Sequence, residues 1–482
     1  MKRDIRWYDY ITTNIYWLSL TTISQTNGLV FPLLVQQFVG EETKGTFFGT
    51  LRLWTLMVAL LAQAFMGMLS DRSTLRWGRR RPFIFAGTLV NLIFIVLIGF
   101  TADMEHMTGY WALFIIAILM QVSSNAAHGA LQGLIPDLVP EERRGAFSGV
   151  KAVLEVPLPI ILVALFVGPI IARGNIWGGL IIAMGVMLVS MLLTMLVPEQ
   201  PLETTPKKLD WEPLVRLGLM TALFTAVILG VGEVVKLAGR WLEGLDALGL
   251  QIAVVGGAGV GAMVVAVALG VWASVRVCVG TQACERNPSF TWWVVNRLAF
   301  FVGTTNLSTF AVYFLQGRMG YAEEQAAGPA SQMMMIVGIF ILLSALPSGW
   351  LSDRVGHKRL AMVSGVIATL GTIVLLIVPN LTIIYIGGCL IGIATGFFFT
   401  SNWALGTSLV PKEEAGRYLG ISNLAGAGAG AVGAYIGGPI ADYFTVNAPS
   451  HAGLGYVILF AIYAVMFFFS ILALTRVHTT EK

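Results

Sequence analysis

The chain has 482 residues, 56% of them hydrophobic and only 12% charged, with a formal net charge of +4 and a mean hydropathy of +0.78. Ordinary globular domains carry about 25% charged residues, so this composition excludes a soluble enzyme. The basic residues fall in the gaps between apolar runs, so the positive balance gives no reason to expect a nucleic-acid partner.

A helix needs about 20 apolar residues to cross the hydrocarbon core. The opening Met1-Lys-Arg-Asp-Ile-Arg-Trp-Tyr8 lacks a cleavable signal pattern, so the first apolar run is expected to stay as a helix. The first half then predicts spans near 13–39, 47–70, 82–101, 109–134, 145–172 and 177–197, and the second half near 290–316, 329–351, 359–378, 382–409, 416–443 and 454–475. Two further runs, near 215–236 and 248–276, lie between them and read as an extra hairpin, with an interfacial or re-entrant pair as the alternative. The count is about fourteen spans. Residues 1–202 are read as one six-helix bundle, 203–285 as a central loop and hairpin, and 286–482 as a second six-helix bundle.

Lys and Arg in short loops set orientation. One alternating set of gaps holds Lys2 and Arg3, Arg72 to Arg81, Arg143 and Arg144, Lys207 and Lys208, Arg354 to Arg359, and Lys412 with Arg417. The other set holds Glu41 and Glu42, Asp103 and Glu105, and Glu323 and Glu324. The basic set is therefore expected in the cytoplasm, with both termini. The three cysteines, Cys278, Cys284 and Cys389, have no metal-ligand spacing.

Two motifs recur in the same order. Gly67-Met-Leu-Ser-Asp-Arg72, followed by Trp77-Gly-Arg-Arg-Arg-Pro82, has a copy in Gly349-Trp-Leu-Ser-Asp-Arg354 with Gly356-His-Lys-Arg359. Leu138-Val-Pro-Glu-Glu-Arg-Arg-Gly145 matches Leu409-Val-Pro-Lys-Glu-Glu-Ala-Gly416. A duplicated membrane-embedded half is the construction of a transporter built from parallel repeats, with its substrate site between the halves near the midplane. The glycine would let a neighbouring helix approach closely. Asp71, Arg72 and Arg79, with Asp353 and Arg354 in the copy, would form polar pairs that break when a gate opens. The plainer alternative is a basic loop that only fixes orientation.

These loops resemble the Gly-x-x-x-Asp-Arg-x-Gly-Arg-Arg signature of the major facilitator superfamily. Within it, the stretch from Ser70 to Ile84 is most similar to the sucrose and glycoside symporter branch, the glycoside-pentoside-hexuronide-like cation symporters. Asn125 through Gly129 with Leu134-Ile-Pro-Asp-Leu138 is similar to the fourth helix of those carriers. The resemblance implies an all-α fold of two six-helix bundles and proton-coupled sugar transport. It departs at the coupling site: Gln121 stands where those carriers have an acidic residue, and Gln132 where they have an arginine. A related bacteriochlorophyll-delivery group has a comparable loop, which keeps an apolar cargo open.

An ionisable side chain inside a span costs several kcal/mol unless it meets a partner or a polar cavity. Lys151 and Glu155 are four apart on one helix face, just before Pro157 and Pro159. They are the candidate coupling pair, with an inert internal ion pair as the alternative. His128 could titrate near neutral pH, or simply bond a neighbouring helix. Arg297 could snorkel to the interface or pair with a carboxylate such as Glu155. Amides and an indole suited to sugar hydroxyls fall at Gln25, Asn27, Gln121, Asn125, Asn306, Asn402 and Trp403, beside Ser124, Thr304 and Thr305. Any one of them could instead join helices. The run from Gly426 to Gly433 is expected to be a close-packing surface.

No Walker A, zincin or nucleophile-elbow motif occurs, so neither an enzyme nor a bound cofactor or metal is expected. The sequence reading is a secondary transporter of the cytoplasmic membrane that moves a small solute with a proton or other cation, a sugar or glycoside first. Its alternatives are an exporter or delivery protein for amphipathic or apolar cargo, and a non-transporting assembly protein that uses the hairpin for a protein partner.

Overall fold

The computed structural model describes residues 6–199, 201, 211–242, 247–280, 287–410 and 415–478. Lys2, Arg3, Lys207, Lys208, Cys284 and Lys412 lie outside them, as does half of the second copy of the Val-Pro motif. Every regular element among the described residues is helical. Thirteen helices are long and apolar enough to cross a membrane, or fourteen when one bent pair counts as a single span.

In chain order these are α1 (Asp9–Val39), α2 (Lys44–Asp71), α3 (Arg81–Thr101), α4 (His106–Leu138), α5 (Glu141–Ile171), α6 (Ile176–Thr194), α7 (Glu212–Trp241), α8 (Leu248–Cys278), α9 (Pro288–Thr309 with Ala311–Met319), α10 (Ala327–Val355), α11 (His357–Ile377), α12 (Leu381–Leu409), α13 (Leu424–Asn447) and α14 (Leu454–Thr475). The polar residues between runs supply caps. The Asn175, Asn287 and Asn380 side chains accept from the first-turn N–H groups of Gly178 (2.7 Å), Phe290 (3.2 Å) and Thr382 (2.9 Å).

Helices α5 and α9 break where their sequences say they should or could. In α5 the helix stops at Glu155, Val156 takes φ −115° and ψ −70°, and a new helix starts at Pro157. Neither Pro157 nor Pro159 has an N–H to give the preceding turn. In α9 a continuous helix was expected over 290–316; instead it bends by 59° at Phe310. Just before the bend, the Asn306 amide and the Thr309 hydroxyl donate back to the Val302 and Thr305 carbonyls, at 2.9 Å each. Such back-bonding competes with the helix ladder and bends it.

The chain separates into two compact units, residues 1–38 with 58–214, and residues 39–57 with 215–482. The cut differs from the bounds of the sequence repeat in two places: the start of α2 belongs to the second unit, and so does the hairpin α7–α8. In the first unit, small residues bring backbones together. A methyl on Gly87 would lie 2.8 Å from the Ser123 carbonyl oxygen, and one on Gly129 2.7 Å from that of Gln63 and 2.9 Å from the Gly67 nitrogen. The close approach expected of Gly67 is thus made at Gly129, across from it on α4.

In the second unit the glycine run packs as expected. A methyl on Gly428 would meet the Phe224 ring at 2.7 Å, and one on Gly430 would meet Leu56 at 2.7 Å. Helix α8 packs on α9, α13 and α14, so the hairpin shares the core of this unit. Phe300 and Phe398 stack at 3.7 Å nearby. The start of α2 is held by α13: the Asp442 carboxylate accepts from the N–H groups of Gly45 (2.8 Å) and Thr46 (2.6 Å), an anion at the positive end of a helix. Lys44, itself buried, donates to the Gln316 carbonyl oxygen (2.9 Å), pairs with Glu41 (2.6 Å) and lies 4.6 Å from the Tyr313 ring centre.

Candidate functional site

The loop between α2 and α3 is organised around Arg80. Its side chain is 7% exposed, pairs with Asp71, and donates to Asp137 (3.0 Å) and the Ser70 hydroxyl (3.3 Å). Arg79 also pairs with Asp137. The guanidinium lies against Gly133, where any side chain would collide with it. From beyond α6, the Glu199 carboxylate accepts from the backbone N–H groups of Arg80 (2.8 Å) and Arg81 (2.9 Å) and so caps α3. Burial pushes the Glu199 carboxyl up, against the lowering by these N–H groups and by Arg80. Of the residues read from sequence, Asp71 and Arg79 are in this network, while Arg72 donates to the Met68 carbonyl at 3.0 Å. Arg80, Asp137 and Glu199 were missed. The sequence signal for Asp137 was present, since it sits in the Leu-Ile-Pro-Asp-Leu stretch already noted.

The second copy is built differently. Asp353 and Arg354 are both exposed, and among the described residues neither has an ion-pair partner. Arg354 lies over the Trp350 ring at 3.9 Å. Among the described residues, the expected second pair of gating residues therefore makes no ion pair. The connection is shorter, with only Gly356 between α10 and α11, and Lys358 falls where the first copy has Arg80. Its ammonium donates to the Val477 carbonyl at 2.7 Å, just past α14. Ser408 occupies the position that matches Asp137.

The three coupling candidates come together in the first unit around a residue that sequence reasoning passed over, Trp17. The Lys151 ammonium sits 3.8 Å from the Trp17 ring centre and 3.5 Å from Glu155. His128 meets the same ring edge-on at 5.2 Å and lies 3.4 Å from Gln63 and from Gln132. Lys151 and Glu155 are each about one-third exposed. Glu155 is also the last residue before the break in α5, which frees carbonyls beside it.

The amides divide into two groups. Gln25, Asn27 and Gln121 are half-buried, on partly open faces of α1 and α4; Asn27 lies 3.9 Å from the Met120 sulfur. Asn125 is 6% exposed and donates to the Gln121 carbonyl at 2.8 Å. Asn306 and Asn402 were expected to face cargo, but both are fully buried. Asn306 donates to the Val302 (2.9 Å) and Ala429 (3.0 Å) carbonyls and so joins α9 to α13. Asn402 donates to Asn296 (2.7 Å) and accepts from Arg297 (2.9 Å). Trp403, by contrast, is 44% exposed.

Comparison with known proteins agrees with this architecture. Residues 16–315 and 293–482 match the profile of the Major Facilitator Superfamily. Locally, the chain is 30% identical over 110 residues to Sucrose transport protein SUC3 of Arabidopsis thaliana, covering 20% of this chain and 18% of that protein. It is 32% identical over 114 residues to the Di-/tripeptide transporter of Lactobacillus helveticus, covering 23% and 22%. These alignments span less than a quarter of either relative. In fold, the chain is similar to the nucleoside transporter NupG (TM-score 0.62, 14% identity, 97% of this chain and 99% of that one). It is likewise similar to the peptide transporter POT in complex with sulfate (TM-score 0.65, 15% identity, 99% and 96%). With the duplicated loops, the long apolar helices and a profile match running along almost the whole chain, the protein belongs to the Major Facilitator Superfamily and is a multi-pass membrane protein.

Proposed function

We propose that the protein is a proton-coupled symporter that moves a sugar or glycoside across the cytoplasmic membrane by alternating access. The observation that carries the reading is the local similarity to sucrose transport proteins. In this account both termini face the cytoplasm, the hairpin α7–α8 spans the membrane, and the Asp71–Arg80–Asp137 network closes one side of the cargo path. Glu155 takes up the proton, and the Lys151 ammonium 3.5 Å away is its partner in the charged state. His128 and Lys151 share the Trp17 ring, so charge at one is felt at the other. In the first unit, Gln25, Asn27 and Gln121 offer hydrogen bonds to hydroxylated cargo.

Uptake into proteoliposomes tests this reading. Labelled sucrose and aryl glucosides should accumulate when the outside is acid and only equilibrate without a gradient. Glu155→Gln should still exchange cargo but lose gradient-driven accumulation; accumulation as steep as in the parent would remove Glu155 from the coupling role. A peptide is the second reading for the cargo, favoured by the similarity to the di-/tripeptide transporter. Uptake of a dipeptide in place of every sugar would establish it.

A further inference from the structure

The part of α9 between Trp293 and Phe310 is almost wholly packed away. Only four of its side chains escape full burial, Arg297, Thr304, Thr305 and Ser308, and all four are polar. Arg297, Thr304 and Ser308 are 7 and 11 residues apart in register, which places them within about 20° of one line down the helix. Ser and Thr alone would suit helix packing, but an arginine on the same line is costly against lipid and belongs on the bundle interior or a polar cavity.

Arg297 is the charge on that line, and it is held from behind. Its Nη1 donates to the Asn402 side-chain oxygen at 2.9 Å. The Asn402 amide donates to Asn296 at 2.7 Å, and the Asn296 amide to the Ser470 hydroxyl at 2.6 Å. Three rings surround the guanidinium, with centres at 4.8 Å (Phe301), 5.4 Å (Trp403) and 5.8 Å (Trp293). Among the described residues no carboxylate pairs with it, and its Nε has no hydrogen-bond partner. A guanidinium has five N–H donors in a planar fork, so most remain unused. Ring faces relieve only part of the cost of a cation at this depth.

The geometry points to Arg297, backed by Asn402 and flanked by exposed Trp403, as the seat for a carboxylate carried by the transported solute. Neutral hydroxyls could bond the fork but would leave its charge uncompensated. A carboxylate can accept two parallel N–H bonds and cancel the charge as well. The Trp403 ring then offers a flat apolar face to whatever adjoins the acid group. This rests on the transport reading above and deepens it: among glycosides and related solutes, those that bear an acid are bound in preference to their neutral counterparts.

The test uses the full-length protein in lipid nanodiscs and two matched probe pairs. One pair is 4-carboxyphenyl β-glucoside against 4-(hydroxymethyl)phenyl β-glucoside; the other, without sugar, is 4-methoxybenzoate against 4-methoxybenzyl alcohol. The acid glucoside should bind about tenfold or more tighter than its alcohol, the scale of one charge-assisted bond. Arg297→Gln should bring that ratio to about one. Arg297→Lys keeps the charge without the fork and should give an intermediate ratio; it carries the test should the glutamine variant not fold. Equal binding within both pairs, or a preference that persists in both variants, overturns the proposal. An Arg297-dependent preference for the benzoate, with no binding of either glucoside, supports the acid seat and overturns the sugar reading alone.

Discussion

In the first copy of the duplicated loop, a buried arginine joins two helices and a turn: Arg80 reaches Ser70, Asp71 and Asp137 at once. In the second copy a lysine stands in its place and gives its ammonium to one carbonyl, that of Val477. The difference lies in the donors. A guanidinium fork can hold two carboxylates in fixed directions, whereas an ammonium is a compact point charge that settles on one acceptor. The partner has changed as well, from Asp137 to Ser408. One feature is common to both copies: the turn before the third helix of each repeat is tied to the chain leaving the sixth, through Glu199 in one and Val477 in the other. The tie preserves the bundle and the ion network adds a lock, so the two jobs can be separated by mutation.

The largest effect is expected at Arg80. Arg80→Gln leaves Asp71 without its cation and Asp137 with Arg79 alone, and should cost on the order of 3 kcal/mol, toward the low end for breaking a buried pair because Asp71 is half-exposed and Asp137 keeps one partner. Lys358→Gln should cost less, about 1.5 kcal/mol, the low end for a hydrogen bond from a charged group, because the side chain is half-exposed. Thermal unfolding in detergent would compare them, and equal losses would erase the distinction between the copies.

A smaller effect separates the glycines. Gly129→Ala places a methyl 2.7 Å from the Gln63 carbonyl oxygen and must push α4 from α2, at roughly 1–3 kcal/mol. Gly349→Ala, whose methyl would have its nearest neighbour at 4.0 Å, should change stability by less than about 0.5 kcal/mol. The motif glycine of the second copy would then be shown to have no counterpart to the close approach that Gly129 makes beside Gly67 in the first.

The smallest effect is one of pH. Burial raises the Glu199 carboxyl in the folded protein, so its contribution to stability is full below its unfolded range and is lost as pH rises through the folded one. The parent should therefore lose a little more stability than Glu199→Gln between pH 4 and neutrality, read as the difference between their melting temperatures. A difference that grows in the opposite direction would mean that the N–H groups outweigh burial.

The number and bounds of the spans were legible in the sequence because bilayer thickness fixes the length of an apolar run. The break after Glu155 was legible because proline removes a backbone donor. Asp71 and Arg79 could be read from the duplicated loop, but Arg80 could not be told from its arginine neighbours, since only packing against Gly133 decides which one is buried. Asp442 caps α2 through backbone N–H groups, which no side chain marks in advance. Asn306 and Asn402 show the limit for amides: one residue type serves cargo and helix packing alike, and burial decides between them. Trp17 lay in an apolar run with nothing to show that Lys151 and His128 would share its ring.

Cysteine accessibility in the loop regions of Asp71→Asn and Asp353→Asn, measured in proteoliposomes with a membrane-impermeant maleimide on single-cysteine reporters, tests the central claim that the lock resides in the first copy. Asp71→Asn should shift the labelling balance between the two sides of the membrane by about five- to one-hundred-fold, the range of a 1–3 kcal/mol coupling, while Asp353→Asn leaves it as in the parent. Equal shifts in the two variants, or none in either, would contradict the account.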